Sequence, residues 1–91
     1  MSATLVLTER LPETGMRKLA ERPEVSVRVL PAPTAIELAR ALLNAEGVVM
    51  VMEQPALTAE LIDRSPRLRV ACRMGAGYDN FDVAALTRRR I

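Results

Sequence analysis

The chain has no histidine and no tryptophan, and only one cysteine, one tyrosine and one phenylalanine. Without histidine it lacks the commonest general base and metal ligand, so chemistry that needs an imidazole cannot be done by these residues. A single thiol, Cys72, excludes an internal disulfide. With a formal charge of only +2, the composition implies neither a nucleic-acid nor a membrane partner. The opening "MSATLVLTER" has too short an apolar run for a secretory signal, and no stretch is long enough to span a bilayer, so a cytoplasmic protein is expected. At 91 residues the chain reads as one small domain. A domain near that size buries about 60 to 65% of the surface its unfolded chain exposes, which makes for a thin core.

What is present is a repeated change of hydrophobic period. "TLVLT" (4–8) is a short β-rich run that stops at Glu9 and Arg10. "LPETGMRKLAER" (11–22) reads as a helix with Pro12 and Glu13 in its first turn and Leu11, Met16, Leu19 and Ala20 on one side, weakened by Gly15. In "VSVRVL" the alternation of Val25, Val27 and Val29 with Ser26 and Arg28 predicts a strand at a sheet edge. Thr34 and Glu37 stand at the spacing of a capping box, followed by the stripe Ala35, Leu38, Ala39, Leu42, Leu43 of a second helix.

"GVVMVM" (47–52) has no polar residue on either face, as suits a central strand covered on both sides. "LTAELIDRSP" predicts a two-turn helix with Leu57, Leu61 and Ile62 inward, ending near Pro66 because the residue before a proline avoids helical angles. "LRVACRM" alternates again, with Leu68, Val70, Cys72 and Met74 on one face; Cys72 is expected to be a buried, inert thiol there. "DVAALTRRR" predicts a last helix capped by Asp82, with Phe81 and Leu86 at the staple spacing and Arg88, Arg89 and Arg90 at the negative end of its dipole.

Strand and helix alternate four times with short connections, which specifies an open, mostly parallel α/β sheet. Right-handed crossovers leave few arrangements. The flavodoxin-like order, with the second strand outside the first, suits the half-polar second and wholly apolar third strands. The expected fold is therefore a flavodoxin-like open parallel sheet of four strands with alternating helices, an incomplete version of a five-stranded domain.

"MGAGYDNFD" (74–82) carries the site-like features. A dinucleotide fingerprint requires a third glycine where Asn80 stands, with an acid about 20 residues further on. A calcium loop requires oxygen ligands at alternate positions that Asp79, Asn80 and Asp82 do not provide, so neither a cofactor-binding nor a metal set is assigned. What the loop offers is position: it leaves the carboxyl end of a strand and enters a helix, where open α/β sheets bind ligands, and its glycines expose N–H groups to an anion. On these residues alone the better explanation is structural: the glycines make a tight turn, Asp82 caps a helix, and Asp79 and Asn80 bond only to nearby backbone.

As a whole, "TAELIDRSPRLRVACRMGAGYDNFDVAALTRRRI" resembles the N-terminal domain of the D-isomer-specific 2-hydroxyacid dehydrogenases, a family with phosphoglycerate and glyoxylate/hydroxypyruvate-reducing members. "LVLTERLPETGMRKL" is similar to that family's first strand and helix, "EGVVMVM" to the strand before its substrate loop, and "GAGYDNFDV" to its glycine-rich turn. The resemblance implies that Ala76 and Gly77 hold a substrate carboxylate through their backbone amides, with Met74 and Gly75 forming the approach. Met52 and Glu53 then face the substrate where many members carry an Arg-Ser pair. A missing cation and an added carboxylate argue against a phosphorylated substrate.

It further implies an NAD-dependent oxidoreductase acting on the CH–OH group of a small 2-hydroxy acid, or reducing the 2-oxo acid. Residues 1–91 would be the N-terminal portion of its substrate-binding, or catalytic, domain. The family's Arg, Glu and His and its dinucleotide-binding domain have no counterpart in these residues, so no catalytic residue is assigned and the chain alone is expected to be inactive. The full-length protein is expected to be a homodimer. A non-enzymatic flavodoxin-like module that binds a ligand or a protein is the competing expectation.

Overall fold

In a computed structural model of the chain, the structure describes residues 3–51, 55–74 and 80–91. The element order is β1 (Ala3–Leu7), α1 (Glu13–Ala20), β2 (Val25–Val29), α2 (Ala35–Leu42), β3 (Gly47–Met50), α3 (Ala59–Asp63), β4 (Val70–Arg73) and α4 (Val83–Arg88). The strands form one sheet in the order β2-β1-β3-β4. All three pairings are parallel, with Leu5 opposite both Val27 and Gly47, and Gly47 opposite Val70. The flavodoxin-like order expected from the pattern is thus observed, with β2 at one edge and β3 inside.

Local chemistry accounts for the helix starts. Thr34 accepts the Glu37 N–H at 3.1 Å while the Glu37 carboxylate accepts the Thr34 N–H at 2.8 Å, a closed capping box. Thr58 caps α3 through the Leu61 N–H, and Asp82 caps α4 through the Ala85 N–H. Helix α1 follows Pro12 with no side-chain cap, and none of its residues is fully buried. The inward stripe of α2 differs from expectation: Leu38, Ala41 and Leu42 are buried, whereas Ala35 and Leu43 are exposed. Helix α2 is rotated so that Ala41, which has the smaller side chain, closes against the sheet.

Register assigns the two faces of the sheet. Val6, Val48 and Met50 point into a core completed by Leu38, Leu42, Leu57, Ile62, Leu68, Ala85 and Leu86, with Ala71 and Phe81 packed against it. On the opposite face, α1 lies over β2, where Met16, Leu19 and Ala20 line one shallow groove with Val25 and Val27. A Cβ added to Gly47 would meet the Leu5 side chain at 2.9 Å and Val70 at 4.0 Å, so these residues share this second face.

The fourth strand corrects the sequence reading. Val70, Cys72 and Met74 alternate as expected, but Cys72 is exposed, and Val70 and Met74 are 59% and 41% accessible. Their side chains fall on the face carrying α1, which lies at the far edge of the sheet. The half-buried side chains of β4 are instead Ala71 and Arg73. Period-2 alternation separates a strand's two faces without saying which one is covered.

Arg89 also does more than complement a dipole. Its guanidinium donates to the backbone carbonyls of Ile62, of Ser65 at 3.1 Å and of Pro66 at 3.3 Å, so α4 closes off the end of α3.

Candidate functional site at the carboxyl ends of the strands

The carboxyl ends of β1, β3 and β4 are joined by an unbroken set of hydrogen bonds. Thr8, which follows β1, is fully buried. Its N–H donates to the Val49 carbonyl at 3.1 Å, and its hydroxyl accepts the Val51 N–H at 2.8 Å. A buried hydroxyl is costly unless bonded, and here it fixes the point at which the chain leaves β3. On the other side of β3, the Met74 N–H donates to the Met50 carbonyl at 3.0 Å.

Two loops rise from this platform and meet beyond it. Leu57 and Phe81 form an isolated parallel bridge, in which the Leu57 N–H donates to the Asn80 carbonyl at 2.7 Å and the Asp82 N–H donates to the Leu57 carbonyl at 3.0 Å. Asn80 is itself buried, and its Oδ1 accepts the Arg73 Nε–H at 2.6 Å. Residue 80 is therefore tied to the last residue of β4 by its side chain and to the segment after β3 by its backbone. Around this bridge, Leu57, Thr58, Asn80, Phe81 and Val83 help line an open cleft of about 580 Å³.

Of the residues assigned from the sequence, Met74 is described and exposed just past the end of β4, while Met52, Glu53, Gly75, Ala76 and Gly77 lie outside the described residues. Their immediate neighbours are described, and these bring both stretches to adjacent strands: Val51 and Pro55 bracket the first, Met74 and Asn80 the second. Sequence reasoning missed the bracing residues. Asn80 was expected to bond only to nearby backbone; it instead engages a side chain seven positions away. Arg73 gave one signal, a long cation on the otherwise small and apolar strand "VAC". Thr8 gave none beyond its place at the end of a β-rich run. Among the described residues, no group of three His, Cys, Asp or Glu side chains could hold a metal ion.

An open parallel sheet whose strand order reverses between β1 and β3, with loops gathered at the carboxyl ends, defines the class of doubly wound α/β domains that bind ligands at that edge. The chain matches the sequence profile described as D-isomer specific 2-hydroxyacid dehydrogenase, catalytic domain, over residues 5–91, and it belongs to that family. It is 35% identical over 92 residues to glyoxylate/hydroxypyruvate reductase B of Klebsiella pneumoniae, a match covering all of this chain and 28% of the relative.

Among solved structures it is similar to the TT0316 protein of Thermus thermophilus, with a TM-score of 0.85 and 27% identity over 97% of this chain and 28% of that one. It is also similar to the 3-phosphoglycerate dehydrogenase of Entamoeba histolytica solved with NAD+. There the TM-score is 0.82 and the identity 23%, over all of this chain and 32% of that one, a likeness of fold alone. The chain thus spans less than a third of the length of these relatives. Among its described residues no helix is long and apolar enough to cross a membrane.

Proposed function

We propose that these residues form the N-terminal portion of the substrate-binding domain of an NAD-dependent oxidoreductase, which transfers hydride between a nicotinamide and C2 of a small 2-hydroxy or 2-oxo acid. In this reading the backbone amides of Ala76 and Gly77 take the substrate carboxylate, Met74 and Gly75 form the approach, and Met52 and Glu53 face the rest of the acid. The observation that carries it is the Leu57–Phe81 bridge, which draws together the segments flanking both stretches at the carboxyl ends of neighbouring strands. Family membership supports the chemistry.

Met52 in place of the family's arginine removes a cation and Glu53 in place of its serine adds a carboxylate, which disfavours phosphorylated acids, since Glu53 would repel a phosphate. This favours compact substrates of the kind named for the Klebsiella relative, glyoxylate or hydroxypyruvate.

The nicotinamide cofactor does not fit this chain. In a dinucleotide loop the third glycine lets helix and strand approach closely. Here that position is Asn80, whose buried side chain and carbonyl are both engaged by other parts of the domain. NAD would be held by a separate dinucleotide-binding domain, which would also supply the family's acid/base histidine. What this chain contributes is binding and orientation of the acid. The working enzyme is proposed to be a cytoplasmic homodimer.

The test is Gly77→Val in an enzyme carrying this chain, either the natural full-length product or a chimera joining it to the remainder of the Klebsiella reductase. A β-branched side chain at 77 would crowd the backbone approach to the carboxylate. The KM for glyoxylate should rise by about 10- to 100-fold, the cost of losing one or two well-placed donors, while NADH affinity stays within about twofold. An unchanged KM would return the loop to a structural turn.

A further inference from the structure

We infer that Asn80 is a positioning residue for the proposed substrate site: with Arg73 as its anchor, it fixes the glycine-rich turn and the loop after β3 as one unit. The inference rests on the site reading above, but its evidence lies wholly in described residues. The turn is bounded by Arg73 at the end of β4 and Asn80 before α4, and these two side chains are joined at 2.6 Å. Arg73 also donates from Nη1 to the Met74 carbonyl at 3.4 Å, so its guanidinium touches the chain on both sides of the turn. The backbone of Asn80 then accepts the N–H of Leu57, at the far end of the segment that begins with Val51.

That segment is pinned at its near end too, through Val51 and the buried Thr8 hydroxyl. Both loops therefore have two fixed ends, and they share one of them at residue 80.

This arrangement bears on function because a carboxylate held by backbone amides depends on where the backbone stands. Displacing a bound group by about 1 Å can cost on the order of 100-fold in rate. Amide donors have no side-chain freedom with which to compensate for a displaced turn. Asn suits the role physically. It is neutral and short, it can be buried at 9% exposure when its acceptor is engaged, and its Oδ1 lies at bonding distance from a guanidinium that half emerges from an edge strand. Leucine has nearly the same shape and no acceptor. Aspartate keeps the acceptor and strengthens its bond to arginine.

The experiment uses the same full-length enzyme or chimera, with Gly77→Val assayed in parallel. Asn80→Leu is expected to lower kcat/KM for glyoxylate by about 10- to 100-fold with NADH affinity within about twofold. Asn80→Asp should recover activity to within about threefold of the parent, because the acceptor is retained. Arg73→Met, which keeps the stem on a half-exposed position and removes the donor, should reproduce the Asn80→Leu phenotype and provides the reading if Asn80→Leu does not fold.

A fall in melting temperature with unchanged kinetics in Asn80→Leu or Arg73→Met would overturn the positioning role, as would an Asp variant no better than the Leu one. If Gly77→Val leaves KM unchanged, the carboxylate site itself is misassigned. If Gly77→Val raises KM while Asn80→Leu and Arg73→Met do not, the site stands and Asn80 is only structural.

Discussion

The two faces of the sheet are built to different standards. On one, helices α2, α3 and α4 close over Val6, Val48 and Met50, and every one of these strand residues is fully buried. On the other, α1 alone lies over β2 with none of its own residues fully buried, Leu7 is enclosed at the end of β1, and the apolar row continues to Val70, Cys72 and Met74 in the open. All-parallel sheets are normally covered on both sides. The contrast separates what holds this chain together from what only borders it: the closed face carries most of the stability, and the open face, Leu7 apart, is apolar without contributing much burial.

Leu38, Leu42, Leu57 and Ile62 form the centre of the closed face, each without accessible surface. Removing three carbons from Ile62 would leave a cavity under α3 that a helix of five residues, held at both ends, cannot collapse to fill. Ile62→Ala is therefore expected to destabilise the isolated chain by about 2 to 5 kcal/mol, measured by urea denaturation. A loss below about 1 kcal/mol would show that the closed face is looser than its burial indicates.

A smaller effect should come from the polar closure of the same face. The last turn of a helix leaves carbonyls without intrahelical partners, and α3 is so short that these lie close to its core residues. The Arg89 guanidinium takes the carbonyls of Ile62, Ser65 and Pro66, which fastens α4 onto α3. Arg89→Met keeps the aliphatic stem and deletes the donors. It should cost about 1.5 to 3 kcal/mol, the range for hydrogen bonds to a charged group. Arg88→Met, whose side chain is exposed, should change stability by less than about 0.5 kcal/mol. Equal effects at the two positions would mean that net charge, and not the carbonyl contacts, is what matters.

Much of this architecture was legible from the sequence because it is written in local chemistry. The capping box at Thr34 and Glu37, the Asp82 cap, and the unbroken apolarity of "GVVM" each have one physical interpretation, and the strand order followed from it. What was not legible depends on contacts between distant residues. Nothing near Arg89 in the chain announces that the end of α3 lies beside it, and Thr8 bonds to Val49 and Val51 across more than 40 positions. The site shows the same division. The glycine turn stands out in sequence, while the Asn80 and Leu57 contacts that brace its ends exist only once two loops have met.

The smallest expected effect concerns the open face, where the sequence reading of β4 failed. Alternation assigned Val70 and Cys72 to a buried row, yet register with Gly47 and Val49 carries that row beyond the reach of α1. If so, trimming Val70 removes contacts chiefly with water. Val70→Ala should alter the stability of the isolated chain by no more than about 0.5 kcal/mol, the usual range for a surface substitution. Cys72 supplies an independent readout on the same row, since an exposed thiol reacts without any opening of the fold. In native buffer its modification by a maleimide should proceed within about tenfold of the rate in urea. Protection by several orders of magnitude would require that face to be covered, either by tighter seating of α1 or by pairing of β4 with a second copy. Sedimentation at low and high concentration separates the two: protection that persists in a monomer would place α1 over β4, and protection that appears only with association would locate the contact on the open edge.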